Sequence, residues 1–295
     1  MKYILLFILF FSAENVWAAQ LKLVATTSSM GMLAREVGAE QVSVKVLAPP
    51  DRDAHHLQAK PSMMRHLRSA DLVLAIGAEL EIGWLPAALQ GANNPQVQVG
   101  RIGYFEAAAQ VGLIDEGQAA DRAQGDVHPL GNPHVNLDPV RMIQIAQALA
   151  QRLGNLDEAN AQVYLQRAQA FAQQIKSRLP QWQAQAKAAK GVVLHHKDAD
   201  YLLQRFNVPI LGYIEPIAGV PTTAKHLKAL LTKLKVKDGG VIIRSVFHPP
   251  QGAAFLAREL GWASHAMPID PPLGADGAGY LAFIDQWMAA ITSNQ

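Results

Sequence analysis

Cysteine is absent from all 295 residues. That excludes a disulfide framework, a thiolate metal ligand and an acylated cysteine anchor. Charge is sparse too: 17% of residues are charged and the net is only +2. No Lys/Arg cluster forms a stripe that would track phosphates, so nucleic acid is excluded as a partner. Half of the residues are hydrophobic, enough for one large core or two modest ones. The apolar run at the N-terminus, residues 3–11, is too short to span a bilayer as a mature helix.

That run has a different reading. Lys2 precedes it, polar Ser12, Glu14 and Asn15 follow, and Val16-Trp17-Ala18 closes the segment. Charged, apolar and small-residue regions in this order describe a secretory signal peptide over 1–18, cleaved after Ala18. The mature chain is therefore expected in the periplasm, without a lipid anchor.

Beyond it, short β-type runs alternate with helical stretches. Strands are expected over 21–26, 42–47, 71–76 and 97–99, with helices over 30–37, 62–69 and 80–89 between them. A second series opens at Gly191, with strands over 192–194, 208–213, 241–244 and 262–267 and helices between and after them. Alternation of this kind argues for parallel sheets covered on both faces. The expected fold is α/β, two parallel-sheet lobes over 19–155 and 191–295. They are joined by one long linker helix over 156–190. The linker is rich in Ala, Gln, Arg and Lys, and its larger apolar residues Val163, Phe171, Ile175, Leu179 and Trp182 fall near helical spacing. One helix over 157–190 would run on the order of 50 Å, with Pro180 expected to kink it.

Ten histidines are the distinctive feature of the composition. Several fall just beyond predicted strand ends, where open parallel sheets bind ligands. His55 and His56 follow the second strand, His128 and His134 lie in a Pro/Gly-rich loop, His195 and His196 follow the 192–194 strand, His248 follows 241–244, and Asp270 follows the last strand. Imidazole and carboxylate without thiol suit Zn²⁺ and also Mn²⁺. The candidates are scattered along the chain, and no His-Glu-x-x-His motif of a zinc hydrolase is present.

Several of these segments together resemble the zinc/manganese-binding receptors of ABC transporters, over essentially the whole mature chain. Asp53-Ala54-His55-His56-Leu57-Gln58-Ala59-Lys60-Pro61-Ser62 is similar to that family's first ligand motif. Gly131-Asn132-Pro133-His134-Val135-Asn136-Leu137-Asp138-Pro139 resembles its most specific one. His196, five residues before Tyr201, fits the third, and Ile269-Asp270-Pro271 a fourth. The resemblance implies His55, His134, His196 and Asp270 as ligands of one ion in a cleft between two lobes joined by a helix. His56, His128, His195 and His248 are read as neighbours of the shell or surface residues, and His66, His226 and His265 as structural. Asn136 stands where the family commonly has an aromatic residue, and looser packing behind His134 is expected there. The 107–127 loop lacks the His-rich tract of some zinc members.

The function so implied is capture of a divalent metal, zinc first and manganese as the alternative, by a monomeric periplasmic binding protein. Its partner is the membrane permease of an ABC importer. Three imidazoles and one carboxylate fill a tetrahedral shell, leaving no place for substrate, so no enzymatic activity is expected. The competing reading is a periplasmic zinc-dependent hydrolase, with one ligand position left to water and Glu215 as base.

Overall fold

The computed structural model describes residues 20–117, 128–217 and 219–293; the expected signal peptide and the second half of the 107–127 loop lie outside them. Strand β1 (Leu21–Ala25) is flanked in parallel by β2 (Val42–Val46) and β3 (Leu72–Ala75), with β4 (Tyr104–Glu106) outside β3. The second sheet repeats this plan. In it β5 (Val192–Leu194) lies between β6 (Ile210–Tyr213) and β7 (Val241–Ser245), with β8 (Ala263–Met267) outside β7. The strand orders β2-β1-β3-β4 and β6-β5-β7-β8 are the same order twice, and every pairing is parallel. Each sheet thus reverses its winding at its two central strands, and a crevice opens beyond their carboxyl ends.

The helices are α1 (Ser28–Gly38), α2 (Pro61–Arg68) and α3 (Leu85–Ala92) in the first lobe, then α4 (Pro139–Leu156) and α5 (Ala161–Ala186). The second lobe carries α6 (Asp200–Arg205), α7 (Ala224–Leu234), α8 (Gln251–Leu260) and the closing α9 (Gly277–Ile291). Among the described residues no helix is long and apolar enough to cross a membrane.

Strand side chains alternate between two kinds of core, as a period of two requires. Leu23 and Ala25 of β1, Val192 and Leu194 of β5, and Val241 and Ile243 of β7 join one apolar cluster that runs through both lobes. Val24 points instead into a separate cluster under α2 and α3, and Val193 and Ile242 into another under α7 and α8. The shared cluster is completed by Ile145, Leu149, Phe171, Ile175 and Trp182 from α4 and α5 and by Tyr280, Phe283 and Trp287 from α9. The lobes are therefore fused along one side, and the crevice between them is the open side of a joined body.

Helix α5 has 26 residues, about 39 Å at the standard rise, and continues through Pro180 without interruption. A short turn over Glu158–Asn160 separates it from α4, so the helical run starts later than position 156. Its inner face is Tyr164, Ala168, Phe171, Ile175 and Trp182, whereas Val163 is 38% exposed. Tyr164 takes the inner place because its hydroxyl donates to Asp157 at 2.7 Å while its ring stays in the core. Trp182 Nε1 donates to Asp285 of α9 at 2.7 Å, which pins the far end.

One predicted strand is misplaced. Residues 95–97 form a 3-10 turn begun by Pro95 and capped by the Asn94 side chain, and the edge strand lies further on, at Tyr104–Glu106. Proline removes a ladder donor and an Asn cap favours a turn, so both oppose a strand there.

Candidate metal centre

Each of the predicted ligands is carried to the cleft by a segment that leaves a strand or precedes a helix. His55 sits in the 3-10 turn Ala54–His56, opened by Asp53. The Asp53 Oδ1 accepts from the His55 backbone N–H at 2.9 Å and from His55 Nδ1 at 2.7 Å. Asn132 repeats the arrangement: its Oδ1 accepts from the His134 backbone N–H at 3.0 Å and from His134 Nδ1 at 2.9 Å. An Asx side chain bonding the backbone two residues on is a local turn device. Here it also fixes an imidazole tautomer. With Nδ1 protonated, Nε2 of each ring keeps its lone pair for the cleft, the support that metal-binding histidines need.

The Asn132 amide cannot be reversed, because its Nδ2 donates to the Lys197 carbonyl at 2.9 Å. This bond also joins the His134 loop to the residue after His196, across the lobes. Tyr201 adds a second link, donating to the Asn132 carbonyl at 2.6 Å and accepting from Ile114 N–H at 3.1 Å. Gly131 enters this loop with φ near +117°, and a Cβ there would stand 2.7 Å from that of Leu113. Only glycine fits that turn.

The histidine rings gather around His134. Its ring centroid is 5.4 Å from that of His55, 6.5 Å from that of His128 and 6.4 Å from that of His196. His55 Nε2 lies 3.0 Å from His128 Nε2. Because the Asp53 bond leaves His55 Nε2 unprotonated, His128 is the donor of that contact. His134 is buried, and its Nε2 has no hydrogen-bond partner. Asp270 is buried against the first lobe, its Oδ1 accepting from Ser29 N–H at 2.8 Å, and it lines a small void with His55, His134 and Asn136. Among the described residues no three donors already meet at metal-coordination distances. A shared ion would draw these rings inward.

The two double-histidine sequences are separated by burial and direction. The His56 side chain is 60% exposed, with Nε2 3.8 Å from Asp53, while His55 faces the cleft. His196 stands by His134; His195 turns instead to Glu215, with Nε2 3.3 Å from Oε2, and stacks on His248 at 4.2 Å. Glu215 also accepts from the Gly219 N–H at 2.6 Å, so it serves both the turn and the His195 imidazole. His66 and His226 lie on α2 and α7, and His265 on β8.

Burial dominates the electrostatics of the cluster. Desolvation lowers His134 to about 3 and His128 to about 3, and it lowers His196 as well. His195, beside His248, falls to about 4 for the same leading reason. These rings are thus neutral, as metal ligation demands. Burial pushes the Asp53 carboxyl up, but the hydrogen bonds from His55 and the attraction of that ring when protonated outweigh it and hold it well below the usual range. Asp270 moves the other way: its burial raises it against hydrogen bonds from Ser29 and Thr27.

Asn136 does not loosen the packing behind His134. It is buried, its Nδ2 donates to the Ile269 carbonyl at 2.7 Å, and its own carbonyl accepts from Tyr280 at 2.9 Å. The polar side chain ties the His134 turn to the segment carrying Asp270. Asp138 caps α4 as expected, and also forms a two-point ion pair with Arg205 of the second lobe at 2.9 and 2.7 Å.

Three residues of the cleft were given no role in the sequence: Asp53 and Asn132, which orient the histidines two positions later, and Asp198. The repeated Asx-x-His spacing was a usable signal for the first two. Asp198 is buried between the clusters, with Oδ1 3.7 Å from His134 Nε2 and Oδ2 3.6 Å from His248 Nδ1. Burial acts to raise it, yet the attraction that His134, His248 and His196 exert when protonated, with the Ser245 hydroxyl, brings it below the usual range.

Known proteins share this fold. The metal ABC transporter substrate-binding lipoprotein ScbA of Streptococcus cristatus is 24% identical over 237 residues, 76% of this chain and 73% of that protein. The manganese ABC transporter substrate-binding lipoprotein PsaA of Streptococcus pneumoniae is 25% identical over 225 residues, 73% of this chain and 69% of its own. Among solved structures, a zinc-bound ZnuA deletion mutant superposes with a TM-score of 0.76 at 19% identity, covering 94% of this chain and all of that one. FpvC of Pseudomonas aeruginosa in complex with Mn²⁺ gives 0.76 at 21% identity, covering 92% and 97%. The family described as "ZnuA: Zinc-uptake complex component A periplasmic" matches residues 23–294, nearly the whole chain, and the protein belongs to that family of metal-binding receptors of ABC importers.

Proposed function

We propose that this receptor carries zinc, held by His55, His134 and His196 with a carboxylate as the fourth donor, and delivers it to the permease of an ABC importer. The observation that carries the reading is the pair of fixed tautomers: Asp53 and Asn132 leave two Nε2 lone pairs facing one buried space. Three imidazoles with one carboxylate suit zinc, whereas manganese favours more oxygen donors. The resemblance named Asp270 as that carboxylate. His128 covers His55 Nε2 and gives way, or changes tautomer, when the ion enters. The shared apolar core and the uninterrupted α5 favour loading and release by loop movement with a small tilt of the lobes.

A closed shell leaves no position for reacting water, and the protein is read as a carrier without catalytic activity. The two streptococcal relatives are described as lipoproteins, but this chain has no cysteine to acylate. We place it free in the periplasm, as a monomer. Native mass spectrometry of demetallated protein offered zinc and manganese together tests the reading. One retained zinc is expected; manganese retained in preference, or no metal retained, would overturn it.

A further inference from the structure

Asp198 lies within the third motif of the resemblance but is given no ligand role by it, and it caps no helix, yet it sits among the buried histidines. It lies two residues beyond His196, in the 3-10 turn Lys197–Ala199 that follows β5. Ser245, the last residue of β7, donates its hydroxyl to Asp198 Oδ2 at 2.5 Å. The central strands of the second sheet thus hold the carboxylate between them, at the winding reversal where such sheets bind ligands. With Oδ2 engaged by Ser245, Oδ1 is the oxygen directed at the first lobe.

What Oδ1 meets there is chemically unusual. It stands 3.7 Å from His134 Nε2. That nitrogen carries no proton, because Nδ1–H is the one that donates to Asn132, and the Asn132 orientation is fixed in turn by Lys197. An imidazole lone pair and a carboxylate oxygen therefore meet in a buried space at the floor of the cleft, with His134 only 3% exposed and its Nε2 unpartnered. Two donors facing in this way repel unless a cation lies between them. Zinc–nitrogen and zinc–oxygen bonds at a tetrahedral angle place such donors about 3.4 Å apart. The observed gap closes to that with a shift of a few tenths of an ångström.

Asp270 is placed differently. Its Oδ1 is taken up by the Ser29 backbone N–H, and the hydroxyls of Ser29 and Thr27 bond the same carboxylate. Those contacts close the end of β1 and the start of α1 around it, which is the work of a structural carboxylate.

We infer that Asp198 supplies the anionic donor of the metal shell in this chain, opposite His134, in place of Asp270. The inference rests on the reading of the histidine cluster as the metal site. It attaches the shell's charge directly to the His196 turn, so that movement of that turn would withdraw an imidazole and a carboxylate together.

Asp198→Asn and Asp270→Asn, each loaded with zinc and titrated against a chelator, separate the two carboxylates, and Co²⁺ substitution reports the ligand field. Asp198→Asn is expected to weaken zinc at least a hundredfold and to alter the Co²⁺ visible bands, with Asp270→Asn within tenfold of wild type and spectrally unchanged. The reverse ranking would overturn the inference while leaving the metal site standing. Wild-type protein that binds no zinc would remove the underlying reading, and this inference with it. Should Asp198→Asn fail to fold, Ser245→Ala tests the same point by freeing Oδ2: a loss of ten- to hundredfold is expected, and unchanged affinity would overturn the proposal.

Discussion

The two lobes present histidines to the same cleft by different means. In the first lobe the orientation is local. Asp53 and Asn132 each lie two residues before the imidazole they hold and bind its backbone N–H and Nδ1 together. In the second lobe nothing local serves His196. Its turn is held by a bond from Asn132 to the Lys197 carbonyl and by Asp198 reaching to Ser245 on another strand. A donor fixed by its own tripeptide keeps its aim when the lobes shift, whereas one fixed by long-range contacts loses it. If the cleft is the metal site, the first lobe is its standing half and the second the half that would make and break it.

Removing a standing donor should cost most. A zinc shell worth about 10–16 kcal/mol, shared among four donors, implies that His134→Ala weakens zinc roughly a hundred- to thousandfold. His226→Ala, on α7, should leave it unchanged. Equal affinities in chelator competition would break the comparison at its root.

Removing only the orientation should cost less. Asp53→Ala and Asn132→Ala are expected to lower zinc affinity by about 10–100-fold, the usual penalty for losing a partner that holds a ligand. Asn132→Ala should be the worse of the two, since it also releases Lys197.

Acid sharpens the comparison without metal. His134 and His128 are lowered to about 3, so the unfolded chain takes up their protons first, near 6.5. Native stability is therefore full above pH 6.5 and falls as the pH drops toward 3. For fully buried His134 the loss by pH 4.5 is on the order of 2 kcal/mol. Thermal melts of metal-free protein from pH 7 to 4.5 should show a falling Tm; a flat profile would contradict the burial of these rings. The smallest effect is assigned to His56→Ala. Its exposed ring lies outside the cluster, and zinc affinity should stay within about threefold.

Much of this was legible in the sequence, for reasons that can be named. The parallel α/β plan followed from the alternation of short apolar strands and helices, because parallel strands need covered faces and crossover helices. The gathering of His55, His134 and His196 at one cleft was legible because short motifs surround them. The strand assigned to 97–99 failed where Pro95 and an Asn94 cap override a brief apolar run. Tyr164 replaced Val163 on the inner face of α5 because a hydroxyl can reach Asp157, a partner that periodicity does not reveal. Asp198 was out of reach altogether. Its meaning comes from Ser245, far along the chain, and from His134 in the other lobe, and no spacing rule joins them.

The most direct test of the account is the protonation and metal state of the ring nitrogens of His55 and His134. Nitrogen-15 NMR of imidazole-labelled protein, before and after one equivalent of zinc, reads both. The account predicts Nδ1–H in both rings throughout, with Nε2 alone shifting to a metal-bound position. Zinc bound through Nδ1, or ring signals unmoved by the metal, would contradict it.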